Sequence, residues 1–433
     1  MNGVNSPTPS DTLPLAAKLF AVFLGIAIPS LAFGRVVFAV CVSLALIALF
    51  VCRSWREVLG ELIAQCRTLF GMLILLTFIA WLPNLFFSNF PIRSFEAVFR
   101  TLIFVAVGSV FCSALSSERR LLDVSLHAFC AMTAISISFA LVAMTVLPEI
   151  YWAIRFEGWL SQPVATRLKG FSALGTLVVP VLVLAGYRLS TAGKFIATLL
   201  SVGFLAVISI GYNRSAMAGL LAMVAAVMVA VLLRRGTRRS VLISLFGFGA
   251  VLAGTAAWLR ITRANMITEI QKFAPGSEWN FPVWLVDYER QTIWSHALDF
   301  ASDSPWFGIG ANTINFVPGA DAIIQGTRDL HVIPAHPHSW AVELFAELGA
   351  VGLAMVLITI GVLAWQALIG WRRSGQVGLL VAIAVMAGYW GSGLFNFSYW
   401  SAWWQVSFLI CLAYGYAHAR QPVEMSDGGG STS

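Results

Sequence analysis

Three short clusters hold the residue types that could do chemistry. The first is Gly211-Tyr212-Asn213-Arg214-Ser215, a turn that places an arginine where a helix begins. Helix N-termini attract anions through free N–H groups and the helix dipole, and a guanidinium adds bidentate hydrogen bonds to phosphate-type oxygens. An arginine snorkelling to lipid headgroups would carry the same signature. The second cluster runs from Arg290 through Trp294 and His296 to Ala297 and continues as Ser304-Pro305-Trp306-Phe307-Gly308-Ile309-Gly310. Gly308 and Gly310 lack the preceding strand and third glycine of a dinucleotide fingerprint, so they read as a turn after a helix. Taken alone, Arg290 reads more readily as an ion-pair partner of Asp287 or another loop acid than as a clamp on a ligand. The third cluster is His336-Pro337-His338-Ser339-Trp340, with Glu343, Glu347, Gly349 and Gly352 following. His338 falls beside a helix N-terminus, where the dipole disfavours the imidazolium. A neutral ring there suits a general base, or simply caps the helix. His331, His336 and His338 are interrupted by prolines and have no carboxylates in register, which argues against a metal site. Glu343 and Glu347 lie one turn apart on an apolar helix and should face the protein interior, paired with a cation.

The elements that must position these clusters are membrane helices. The 433 residues are 59% hydrophobic and only 11% charged, with a mean hydropathy of +0.83. A soluble domain carries about 25% charged residues. Apolar runs long enough to cross a bilayer recur from Leu13 to Ala419, and they lack the alternation of barrel strands. The expected fold is therefore all-α, with helices near 13–29, 34–51, 69–83, 95–115, 124–147, 171–189, 194–210, 215–233, 240–259, 340–370, 376–395 and 402–419. This divides the chain into nine N-terminal transmembrane helices (1–259), an external loop domain (260–339), three C-terminal helices (340–419) and a disordered Gly/Ser-rich tail (420–433). The stretch Trp284 to Asp303 has helical periodicity, with Arg290, Trp294, Leu298 and Ala301 on one face.

Charge orients the chain. With both termini inside, 15 of the 27 basic residues fall in short inside connections, as the positive-inside rule requires. Met1 to Asp11 is polar and lacks a positive n-region with a small-residue cleavage site, so the first apolar stretch reads as a retained signal anchor. Six cysteines lie in or beside apolar segments without metal-ligand spacing, so neither a disulfide framework nor zinc is indicated. Arginine supplies 23 of the basic residues and about 12 of the 16 tryptophans fall on the external side. Both features suit phosphate and sugar recognition, and both have plainer explanations.

The joint order of the clusters is more specific than any one of them. Arg-Ser opening the eighth helix, Arg-x3-Trp-x2-Ala and Pro-x2-Gly-x-Gly on the long loop, then His-Ser-x3-Glu-x3-Glu-x-Gly-x2-Gly entering the tenth, resembles the O-antigen ligase and polymerase superfamily from Gly211 to Gly352. A single dominant external loop in the C-terminal third is similar to the ligases, whereas polymerases usually show two. Ser339 stands where many members carry Asn.

The resemblance implies a metal-independent, inverting membrane glycosyltransferase without a cofactor, at the periplasmic face of the bacterial inner membrane. Its donor would be O-antigen on undecaprenyl diphosphate and its acceptor a sugar hydroxyl of lipid A-core. The O-antigen polymerase and flippase machinery are implied partners; nucleic acid is not. On this reading Arg214 and Arg290 clamp the diphosphate and His338 is the general base. Glu343 orients a clamp arginine, while Arg263, Arg328, Lys169 and Arg155 make weaker phosphate contacts. Fixed guanidinium groups in a partly dehydrated site can stabilise a departing diphosphate. The alternatives are an O-antigen polymerase acting on lipid-linked repeat units and, in another class, a lipid-linked glycan transporter. Mid-helix segments nearly free of charge count against the transporter.

Overall fold

The computed structural model describes residues 13–155, 163–235, 237–239, 288–324 and 331–421, with short pieces between 242 and 257 and residues 277 and 279. Helix α1 (Leu15–Ala27) passes through a 3-10 turn into α2 (Arg35–Cys52), and α3 (Trp55–Cys66) leads to α4 (Leu69–Phe87), α5 (Pro91–Ser117) and α6 (Arg119–Thr145). The short α7 (Glu149–Arg155) and α8 (Val164–Arg167) precede α9 (Lys169–Arg188), α10 (Thr191–Ile210) and α11 (Arg214–Arg235). Then come α12 (Tyr288–Ala301), α13 (Trp340–Ser374), α14 (Val377–Gly393) and α15 (Ala402–Arg420).

Eight described helices, α2, α4, α5, α6, α9, α10, α11 and α13, are long and apolar enough to cross a membrane, and α1 and α14 are apolar but shorter. The chain is thus an all-helical, multi-pass membrane protein. The expected helix near 240–259 falls largely outside the described residues, as do Arg263, Arg328, the N-terminal 12 residues and the tail beyond 421. Helix α3 has no counterpart among the expected spans, because it is short and carries Arg56, Glu57 and Glu61. A reciprocal capping box between Ser54 and Glu57 starts it.

Helix α14 is the hub of the bundle, packed against α9, α11, α13 and α15. Small residues let the backbones approach: a Cβ on Gly219 of α11 would lie 2.8 Å from the Gly388 carbonyl oxygen of α14. Without a hydrophobic drive between helices in lipid, such close contact supplies the dispersion that holds them. The two ends of the bundle differ. At one, Arg188 bonds to Asp123 (2.7 Å), His418 (3.0 Å) and Gln421 (2.6 Å), and Arg234 lies over Trp371. The three clusters gather at the other.

Helix α13 is broken. Gly349 has φ 69° and ψ −175°, which no helix tolerates. A helix would pair the N–H groups of Ala350 and Val351 with the carbonyls of Ala346 and Glu347. Instead the loop after α12 enters the gap. Ala350 and Val351 donate to Pro305 (2.8 Å) and Trp306 (3.2 Å), while Ala346 and Glu347 accept from Ile309 (3.1 Å) and Gly310 (3.1 Å). Asn84 of α4 clasps the junction, donating to the carbonyls of Phe307 (2.7 Å) and Glu347 (2.6 Å) and accepting from Ala311 N–H (2.9 Å). These four freed groups all find partners, as low-dielectric surroundings require.

Glycine at both contact points is a steric demand. A Cβ on Gly349 would lie 2.3 Å from the Trp306 carbonyl carbon, and one on Gly308 (φ 73°) would lie 2.3 Å from that of Glu347. Gly349→Ala and Gly308→Ala should each destabilise by more than about 1 kcal/mol, the level expected where φ is incompatible. Thermal midpoints of the purified proteins check this, and a midpoint unchanged from wild type in either variant would refute it.

Candidate functional site

The connection between α14 and α15, residues 394–401, ties the three clusters together. Its Phe395 carbonyl accepts from an Arg290 terminal nitrogen at 2.9 Å, and its Asn396 side chain donates to Ser215 Oγ at 3.3 Å. Ser398 Oγ and Tyr399 N–H donate to the two oxygens of Glu343, both at 2.6 Å. The Trp400 indole donates to Glu347. The turn that bears Arg214, the helix that bears Arg290 and the helix entered through His338 therefore converge on eight consecutive residues at one end of the bundle.

Each side chain has a local reason for its place. Asn213 caps α11: its Oδ1 accepts from Ala216 N–H (3.2 Å) and Ser215 Oγ (2.7 Å). Its amide donates to the Lys169 carbonyl (2.8 Å) and Ser172 Oγ (2.7 Å), which fixes the start of α9 beside Arg214. Arg214 and Lys169 are exposed. Helix α12 buries Ile293, Trp294, Ala297 and Ala301 against the turns that follow it, leaving Arg290 half-buried on the expected face. The Trp294 indole donates to the Pro337 carbonyl at 2.8 Å, so Arg290's helix also holds the turn that carries His338.

Glu343 and Glu347 are 1% exposed, so both face the interior as expected. Their partners are not cations. Glu343 meets Ser398 and Tyr399, and Glu347 meets Trp400 and the N–H groups of Asn312 (2.7 Å), Thr313 (2.9 Å) and Ile314 (3.0 Å). The expectation that these carboxylates pair with a cation is corrected accordingly. Glu343 is linked to Arg290 only at one remove: the Ser398 hydroxyl and Tyr399 N–H that take its two oxygens belong to the connection whose Phe395 carbonyl accepts from Arg290. Burial and the Glu343 carboxylate push the Tyr399 phenol well above its ordinary range.

His338 is half-buried and adopts φ 57°, a left-handed conformation that histidine tolerates better than most residues. His336 holds it there, its Nδ1 accepting the His338 backbone N–H at 3.0 Å with the rings 4.2 Å apart. Burial, and then the neighbouring His338, push the His336 imidazole down to about 3. Nδ1 can accept only while that ring is neutral. His336, first weighed only as a metal ligand, is thus a positioning residue. Among the described residues no three of His, Cys, Asp and Glu gather as metal ligands.

A group of cations lies around Trp403 at the start of α15. Arg155 sits against Gly34, the next residue Arg35 lies 5.6 Å over the Trp403 ring, and a Cβ on Gly170 would lie 3.5 Å from that indole, with Lys169 adjacent. No motif surrounds Arg35 in the sequence; its place in the group needs the fold. Arg93 and Arg100 belong elsewhere, on the carbonyls of Asn312 (2.7 Å) and Trp400 (3.2 Å).

Residues 196–357 match the family model described as O-antigen ligase. The matched stretch contains Arg214, Arg290, His338, Glu343 and Glu347 and ends just beyond the break at Gly349. No curated protein matches the chain.

The neutral His336 gives the site a pH dependence of known sign. Its folded value of about 3 lies below the ordinary 6.5, so an opened turn takes up a proton that the closed turn excludes. Closure is fully stable above about pH 6.5 and weakens progressively as pH falls toward the folded value. Hydrogen-exchange protection at 336–339 should fall from neutrality to about pH 5 in the wild type and stay flat in His336→Asn, whose amide oxygen can replace Nδ1 as acceptor. An equal decline in both proteins would contradict the assignment.

Proposed function

We propose that this chain belongs to the O-antigen ligase and polymerase superfamily, as the family match over 196–357 supports, and that it is the ligase: it transfers O-antigen from undecaprenyl diphosphate to a sugar hydroxyl of lipid A-core. The reaction would occur at the periplasmic face of the inner membrane, with both termini cytoplasmic. The supporting observation is that a helix-opening arginine, a half-buried arginine and a histidine at a helix entrance meet around one rigid connection at the less basic end of the bundle. One external region, rather than two, favours ligase over polymerase.

The chemistry follows from charge. Attack by the acceptor hydroxyl on the anomeric carbon breaks the bond to the donor phosphate, inverts that carbon and leaves negative charge on the diphosphate. Arg214, with the dipole of α11 behind it, and Arg290, its plane set by the Phe395 carbonyl, neutralise that charge. Lys169 and Arg155 extend the anion-binding face toward the lipid diphosphate or the phosphates of the acceptor core; Arg263 and Arg328 keep the same proposed role from outside the described residues. His338 removes the hydroxyl proton during attack. No bound metal is required, since the guanidinium groups stabilise the leaving group directly.

Deleting the chain should leave core without O-antigen on lipopolysaccharide gels, while polymerised glycan accumulates on its lipid carrier. Core bearing a single repeat unit would reassign the same residues to a polymerase, and uptake of lipid-linked glycan into vesicles without covalent transfer would indicate a transporter. In purified protein, His338→Ala should lower transfer about 10²–10⁴-fold, the usual worth of a general base. Arg290→Lys, which keeps charge but loses the planar fork, should also lose most activity. Near-normal transfer by either variant would remove that residue from the mechanism, and loss of activity with a chelator would overturn its metal independence.

A further inference from the structure

Away from the site, a slot of about 480 Å³ opens between α3, α4, α5, α13 and α15. This falls within the range of about 300–1,000 Å³ typical of small-molecule sites. Its wall is predominantly apolar, with leucine the commonest residue, so it suits a hydrocarbon rather than water. Its upper end reaches Trp81, Trp390 and Tyr399, directly beneath the carboxylates that organise the site. Its lower end reaches Gln65, Cys66 and Arg420 at the basic end of the bundle.

Two observations at that lower end concern polarity. Among the described residues Arg420 is the one charged residue lining the slot, no carboxylate lines it, and none pairs with Arg420. Tyr416, one turn earlier on α15, also lines the slot, and its hydroxyl is buried without a hydrogen-bond partner. An apolar channel with a guanidinium at its mouth and a buried donor just inside matches a molecule with one long hydrocarbon chain, polar linking oxygens and an anionic head. The exposed Arg67, between the lining residues Cys66 and Thr68, adds to the positive rim.

We infer that the slot holds one acyl chain of an anionic phospholipid drawn from the leaflet at the basic end, with its phosphate on Arg420 and an ester or phosphate oxygen accepting from the Tyr416 hydroxyl. The polarity separates this lipid from the proposed glycan donor, whose diphosphate belongs at the opposite end of the bundle. The site therefore stands whether or not the catalytic assignments do. The chain fills space beneath Trp81 and Tyr399 and supports the aromatic layer on which the 394–401 connection rests.

The test uses the full chain, stripped of lipid in detergent and then exposed to phosphatidylglycerol or phosphatidylethanolamine, with bound lipid counted by native mass spectrometry. Wild type should retain one phosphatidylglycerol about fivefold more readily than phosphatidylethanolamine, the worth of one cation at an anionic lipid surface. Arg420→Gln should abolish that preference and Arg420→Lys should restore most of it. Ala106→Phe, which places a ring inside the slot, should lose the bound lipid. Equal retention of the two lipids by wild type, or an unchanged preference in Arg420→Gln, would overturn the inference. So would an unchanged lipid count in a folded Ala106→Phe, or recovery of an isoprenoid diphosphate in place of the phospholipid. If Ala106→Phe does not fold, the Arg420 pair alone decides, because those substitutions lie at the exposed mouth.

Discussion

The break in α13 at Gly349 is the constraint on which the site depends. A helix interrupted inside a membrane protein must hand its freed N–H and C=O groups to other protein groups, since hydrocarbon offers none. Here the loop after α12 supplies them, with Pro305, Trp306, Ile309 and Gly310 taking the places of the missing intrahelical partners. The loop is consequently part of the helix. Glu347, immediately before the break, extends the same logic by accepting three successive N–H groups from Asn312 to Ile314. A surface loop that could otherwise open locally is fixed to the core by buried polar bonds.

Rigidity propagates from that junction. Glu347 also holds the Trp400 indole, and Glu343 holds Ser398 and Tyr399, so the two carboxylates of one helix face set the 394–401 connection. That connection in turn fixes the Arg290 guanidinium and the Arg214 turn. Carboxylates that first suggest acid–base chemistry are instead saturated by neutral donors. Arg290 is held instead by the Phe395 carbonyl. In the proposed reaction, positive charge held in place in this way would stabilise a departing anion without reorganisation.

Much of this was legible in the sequence, and the limits have physical causes. Helix spans followed from apolar runs, because lipid demands long uninterrupted helices. Helix α12 appeared as a periodic stretch with Arg290 at its N-terminal end, and the structure keeps Arg290, Trp294 and Ala301 on one face. The break at Gly349 was invisible because glycine is common in membrane helices, and only its fit against Gly308 shows why one is required there. Glu343 was placed correctly in the interior, but its partners come from a turn 55 residues away. No local pattern encodes a contact at that separation. His336 was hidden by its resemblance to a metal ligand, and Arg35 by the absence of any motif around it. Helix α3 was missed because an amphipathic helix of 12 residues carries too little apolar surface to register as a span.

In the proposed function, oriented arginines and one histidine transfer a glycan from a lipid diphosphate to a lipid-anchored sugar. The most direct measurement reconstitutes the purified chain with lipid-linked O-antigen and lipid A-core and follows both products. The account predicts glycan covalently joined to core, inverted at its anomeric carbon, with one lipid diphosphate released per transfer. Glycan joined instead to a second lipid-linked repeat unit, or retention of configuration at the anomeric carbon, would contradict it.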